Sequence, residues 1–305
     1  MVMITECLEQ LFLPLQNDKS CQNMRYKYYY CKLIRPDLID YLNQNQIKYE
    51  LWGPAGVPKY TIFSLWSSSP STESHIKSIE ALCGYTPLTF LEFTKKDFEQ
   101  AKFMVIRSKN QTIDITNEKS AYITSCEWID PKGHLRANHI CSIGTISIEK
   151  EPTIKSNTAL WVHSIGFSVF FADYRVRDMA LANNLFGVEF KEIFKKNGTI
   201  SDKLYHMTTN YIIPTEIIDF GHGEKVSKCP LCGRDQYFGG TAYQLHLDCS
   251  KMSSEIDFYR TESIWGEGTT EPKYIISQRF YRLLKENGLA GKVVFEPVVD
   301  ISRNN

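Results

Sequence analysis

The sequence predicts an α+β protein, on three observations. Two segments in the C-terminal half, residues 167–194 and 272–299, each read strand, helix, strand. The N-terminal half alternates short β-rich runs with brief helical ones. Between the two C-terminal segments lies an insertion shaped like a zinc knuckle, residues 229–249.

In chain order, "RPDLIDYLNQNQIKYELW" predicts a short helix followed by a strand. "YTIFSLW", "KFMVIRS" and "TISIEK" have the β-branched and aromatic content of strands. "STESHIKSIEALCGY" predicts a helix, capped by Ser71 or Thr72, with Ile76, Ile79, Leu82 and Cys83 on one face. Turns are expected at Gly53-Pro54, Asp130 to Gly133 and Asn197-Gly198. A domain boundary is expected near residues 149–155, where "EKEPTIKSN" is charged and carries a proline. That gives an N-terminal α/β region, 1–150, and a C-terminal region, 151–305.

The first C-terminal segment, "FSVFFADYRVRDMALANNLFGVEFKEIF", opens with an apolar run suited to a buried strand. Asp173 can accept a free backbone N–H at the start of a helix. Val176, Met179 and Ala180 follow at helical spacing. Asn183-Asn184 then tolerates the left-handed turn at a helix end. The second segment, "PKYIISQRFYRLLKENGLAGKVVFEPVV", repeats the order, with Ser277 as cap, Phe280, Leu283 and Leu284 at helical spacing, and Asn287-Gly288 as the stop. Arg175 pairs with Arg279, Asn183 with Asn287, Leu185 with Leu289 and Gly187 with Gly291. One strand–helix–strand module used twice is the expectation.

In the insertion, Cys229-Pro-Leu-Cys232-Gly233 has the shape of a zinc knuckle: two intervening residues let both thiolates face one ion, and the glycine permits the turn. His246 and Cys249, after a loop of thirteen residues, would complete a set of four. The metal site expected from the sequence is therefore Cys229, Cys232, His246 and Cys249, holding a structural zinc with no place left for water. "YQLHLDC" alternates like a strand, so His246 and Cys249 share an ion only if the chain bends between them. His222, flanked by glycines, is the substitute ligand. A redox Cys-x-x-Cys would sit at a helix start, where its pKa is lowered; the polar "RDQYFGG" after Gly233 argues for a loop instead.

The 35 basic residues balance the 35 acidic ones, which removes any broad electrostatic pull towards nucleic acid or an anionic membrane. The nine cysteines are scattered apart from the knuckle, as in a protein of a reducing compartment. The opening "MVMITECLEQLFLPL" lacks the basic start of a signal peptide, and no apolar run approaches the roughly 20 residues that span a bilayer. A cytoplasmic protein is expected. No phosphate-binding glycine loop, H-E-x-x-H or G-x-S-x-G is present. Cys141 and His139, two apart and so on one face of a strand, could form a nucleophile–base pair, but a buried thiol beside a solvated histidine on a strand edge is the better explanation.

"CPLCGRD", "LHLDCSK", "IDFYRTE" and "YIISQRFYRLLKENGLAGKVVFEPV" together resemble the double-CxxCG family first grouped from myxobacteria, and the polymorphic-toxin immunity proteins with a similar ending. The ending here is Ser277, Phe280, Leu284, Gly288, Leu289, Gly291, Phe295, Glu296, Pro297 and Val298. The resemblance covers the last 80 residues or so. The family name implies two CxxCG motifs, and this chain has one. The resemblance implies an immunity protein that binds a cognate toxin and occludes it, with no membrane or nucleic-acid partner. Two alternatives stand beside it. One is a zinc ribbon contacting nucleic acid through Lys225, Lys228, Arg234 and Lys251, against which Glu224, Asp235 and Asp248 weigh. The other is an enzyme whose site carries no sequence signature.

Overall fold

The computed structural model describes residues 25–31, 36–52, 60–66, 71–83, 88–108, 111–116, 123–126, 139–163, 166–220, 224–238, 245–265 and 272–304. They form a β-rich, mixed α/β structure of several sheets and five α-helices. Two compact units divide between Phe98 and Glu99. The charged stretch at 149–155 lies inside the second unit. No helix among the described residues is long and apolar enough to cross a membrane.

The first unit runs β1 (Arg25–Cys31), α1 (Pro36–Gln44), β2 (Tyr49–Trp52), β3 (Tyr60–Trp66), α2 (Thr72–Cys83) and β4 (Leu88–Glu92). Its sheet has the order β2-β3-β1-β4, with every neighbouring pair antiparallel. Each helix therefore links two parallel strands that have a third strand between them, the split β-α-β-β-α-β topology. Phe63 and Leu65, two apart on β3 and so on one face, meet Leu38 and Leu42 of α1 and Ile79 and Cys83 of α2. The Tyr41 hydroxyl and His75 Nδ1, 2.8 Å apart, tie the two helices together. A short helix, α3 (Lys95–Gln100), follows.

The second unit continues with β5 (Phe103–Ser108), β6 (Thr112–Ile113), β7 (Ile123–Cys126), β8 (His139–Ile143), β9 (Ile146–Ile148), β10 (Leu160–His163), β11 (Gly166–Asp173), α4 (Tyr174–Ala182), β12 (Glu189–Lys195) and β13 (Ile200–Thr208). Then come β14 (Ile212–Ile213), β15 (Ile218–Asp219), β16 (Glu224–Lys228), β17 (Asp235–Phe238), β18 (His246–Leu247), β19 (Phe258–Thr261), β20 (Ile264–Trp265), β21 (Tyr274–Ser277), α5 (Gln278–Glu286), β22 (Val293–Pro297) and β23 (Val299–Asp300).

Its two main sheets have the orders β6-β10-β11-β13-β12-β9 and β14-β19-β21-β5-β22. Their directions agree position by position. β6 and β14 lie parallel to β10 and β19, and the next neighbours are antiparallel. Each helix joins two parallel strands with an antiparallel one between them: β13 in the first sheet, β5 in the second. Register agrees as well. Val162 stands opposite Thr112 and Phe170; Arg260 stands opposite Ile212 and Tyr274. The central place of β5 between β21 and β22 is why the chain after Phe98 belongs to this unit.

Both helices start and stop by the same chemistry. The Asp173 carboxylate accepts from the N–H groups of Arg175 and Val176 at 3.0 and 3.3 Å, and the Ser277 hydroxyl from that of Phe280 at 3.0 Å. At the C-termini the side-chain amides of Asn183 and Asn287 each donate to the carbonyl four residues back at 2.8 Å. Leu185 N–H then closes on Ala180 O, and Leu289 N–H on Leu284 O, after a left-handed residue, Asn184 or Gly288. The outer faces of the sheets are also filled alike: Ile113, Trp161 and Phe171 in one core, Ile213, Tyr259 and Ile275 in the other.

Candidate metal centre

β16 and β17 form an antiparallel hairpin whose tip is the Cys229–Gly233 turn. Cys229 N–H donates to Arg234 O, and Gly233 N–H to Cys229 O, both at 2.9 Å. Gly233 has φ +75°, a backbone region glycine enters without a Cβ clash. The hairpin is held by the Lys225–Asp235 ion pair at 2.7 Å and by Phe220 stacked on Tyr237, ring centroids 3.5 Å apart.

A third cysteine joins the turn. Cys126 ends β7 and is buried, and β8 pairs with β7 so that His139 stands opposite it in register. The sulfurs of Cys126, Cys229 and Cys232 all lie within 4.8 Å of one another. Zinc–thiolate bonds of about 2.3 Å in a tetrahedron put neighbouring sulfurs about 3.8 Å apart, so a small inward shift suffices for one ion. Three soft donors with no carboxylate suit zinc or another thiophilic cation rather than magnesium or calcium.

The local electrostatics favour a thiolate at one of the three positions. Burial pushes the Cys229 thiol up, but the backbone N–H groups of Cys232 and Leu231, with the Cys232 and Cys126 thiols, outweigh it and leave Cys229 below the ordinary thiol range. Burial holds Cys232 above that range. Metal binding would remove this difference, because a coordinated thiol is deprotonated outright.

The set expected from the sequence is met in part. Cys229 and Cys232 come together; among the described residues, His246 and Cys249 are not in the gathered group, and Cys126 is. The reason lies in sheet membership. His246 and Leu247 make β18, which is clamped between β15 and β23, whereas the Cys229–Gly233 turn belongs to the separate sheet β16-β17-β20. Cys249 sits in the core with Leu247 and Val298. Burial and the nearby Asp300 carboxylate push its thiol up to about 12, so it packs as a small neutral hydrophobe. Asp300 itself is held at about 2, since the Ser302 hydroxyl and the Lys102 ammonium overcome its burial. His222 lies outside the described residues, as do the side chains of His139 and Cys141.

Cys126 is the member of the group that sequence reasoning misses. In the sequence no cysteine or histidine lies at ligand spacing from it. The signal that finds it is the topology, which brings the end of β7 to the end of β16. No protein-family model matches the chain, and no curated protein matches it significantly.

Proposed function

We propose that the protein is a binding protein of the immunity type. It neutralises a cognate bacterial toxin domain by covering it, on a scaffold stapled by a structural zinc. Within this proposal the two strand–helix–strand segments are one module used twice. The residues of the C-terminal resemblance support a scaffold role: Ser277 caps α5, Phe280 and Leu284 are fully buried, and Gly288 and Leu289 close the helix end.

The observation that carries a protein-binding role is the contrast between the two helices. α5 turns Arg282 and Lys285 outwards, an ordinary solvated face. α4, in the matching place, exposes Tyr174 and Leu181, the latter 64% accessible, with Phe186 just beyond the helix at 53%. Tyr174, Arg177 and Leu181 form one stripe at helical spacing. The Arg177 guanidinium lies 4.3 Å from the Tyr205 ring centroid and pairs with Asp178. Aromatic and Arg anchors on an ordered helix are the composition of binding hot spots. The nucleic-acid alternative is less well supported, because Lys225 and Lys251 are both paired with carboxylates.

The test is co-purification with the product of the adjacent gene, followed by calorimetric titration. A tight one-to-one complex that inhibits a toxin, weakened by Leu181→Asp, is expected. A neighbouring gene with no toxin-like product, or turnover of a substrate by the isolated chain, defeats the proposal.

A further inference from the structure

The second unit carries an internal pseudo-twofold relation, and it bears on the metal centre. Phe170 and Tyr274 hold matching places in the two sheets, and they face each other with ring centroids 4.9 Å apart. The matching helices also touch, with the Arg279 guanidinium donating to Asn183 O. The matching glycines pack reciprocally. A Cβ on Gly187 would meet Ile256, just before β19, and one on Gly291 would run into Asn157 O, just before β10. Self-paired and reciprocal contacts are what an isologous two-fold interface produces.

The two cysteine-bearing hairpins obey the same relation. β7–β8 lies in the chain between Ile115 and β9, and Ile115 bridges antiparallel to Ile148 of β9. β16–β17 lies between β15 and β18, which pair antiparallel through Ile218 and Leu247. β9 runs parallel to β12, and β18 parallel to β23. Cys126 ends the first strand of one hairpin, and Cys229 directly follows the first strand of the other.

We propose that the metal centre straddles this pseudo-twofold, with Cys126 and Cys229 as counterparts, so that one zinc ties the two halves of the unit together rather than merely closing a loop. This rests on the structural zinc proposed above and deepens it.

The experiment uses the full chain, with zinc measured by elemental analysis and affinity by competition with a chromophoric chelator. Wild type is expected to hold one zinc per chain. Cys126→Ser and Cys229→Ser each lower the affinity at least tenfold, while His246→Ala leaves it unchanged. Circular dichroism confirms folding of each variant. A zinc-free wild type sinks the metal proposal itself. Zinc held unchanged by Cys126→Ser overturns the two-fold assignment alone.

Discussion

Asp257 is buried, and three groups converge on it: the Ser277 hydroxyl at 2.5 Å, the Phe186 N–H at 2.9 Å and the Arg279 guanidinium at 3.4 Å. Removing its carboxylate strands the buried Ser277 hydroxyl and the Phe186 N–H, so Asp257→Ala is expected to cost roughly 1–3 kcal/mol for each in urea denaturation. Gly291→Ala places its methyl group against Asn157 O, and such overpacking is expected to cost roughly 1–3 kcal/mol or more by the same measurement. His206, buried on β13, is lowered to about 4 by burial and then by Lys191, which stands across from it. The unfolded histidine titrates near 6.5. Between those values the unfolded chain binds the extra proton, so stability is fully present above about pH 6.5 and falls as the pH drops towards 4. The loss approaches about 3 kcal/mol, and His206→Leu should flatten that slope in a pH series of denaturation curves. At this scale the caps were legible, because Asp173 and Ser277 act through neighbours a few residues away. The role of Asp257 was not, because Phe186 and Ser277 reach it only through the fold.

Among elements, α4 and α5 show what periodicity does and does not reveal. Their spacing, caps and stops were written in local sequence. The outward apolar positions of α4 were not, because Leu181 reads the same whether it meets a core or solvent. If that stripe is the partner surface, Leu181→Asp and Phe186→Asp should each weaken a complex at least about thirtyfold, the effect of a hot spot of about 2 kcal/mol. The denaturation midpoint should stay near wild type, since both side chains are exposed. Strands fared less evenly. β3, β5 and β9 carry enough branched and aromatic residues to be seen in advance. β1, reading "RYKYYYC", lacks an apolar alternation and is fixed by antiparallel partners on both sides.

For the whole molecule, the expected boundary near residue 150 and the observed division at Phe98 differ for one reason. A composition shift marks where a chain changes character, not where a distant strand is wanted. Zinc ligation should follow the same long-range logic: if the ion joins both halves of the second unit, a strong chelator should lower its melting temperature by several degrees, and added zinc should restore it. The Cys-x-x-Cys spacing pointed to two of the three gathered thiols, and tertiary placement supplied Cys126.

The seat of β5 has a kinetic corollary. This strand leaves the ribosome before any other part of its sheet, yet its two flanking partners, β21 and β22, are synthesised long after it. Until they emerge, both its edges lie bare and open to misassociation. Loop closure over so long a span slows folding. Production of the chain should therefore respond to chaperone supply and growth temperature more sharply than its final stability would suggest.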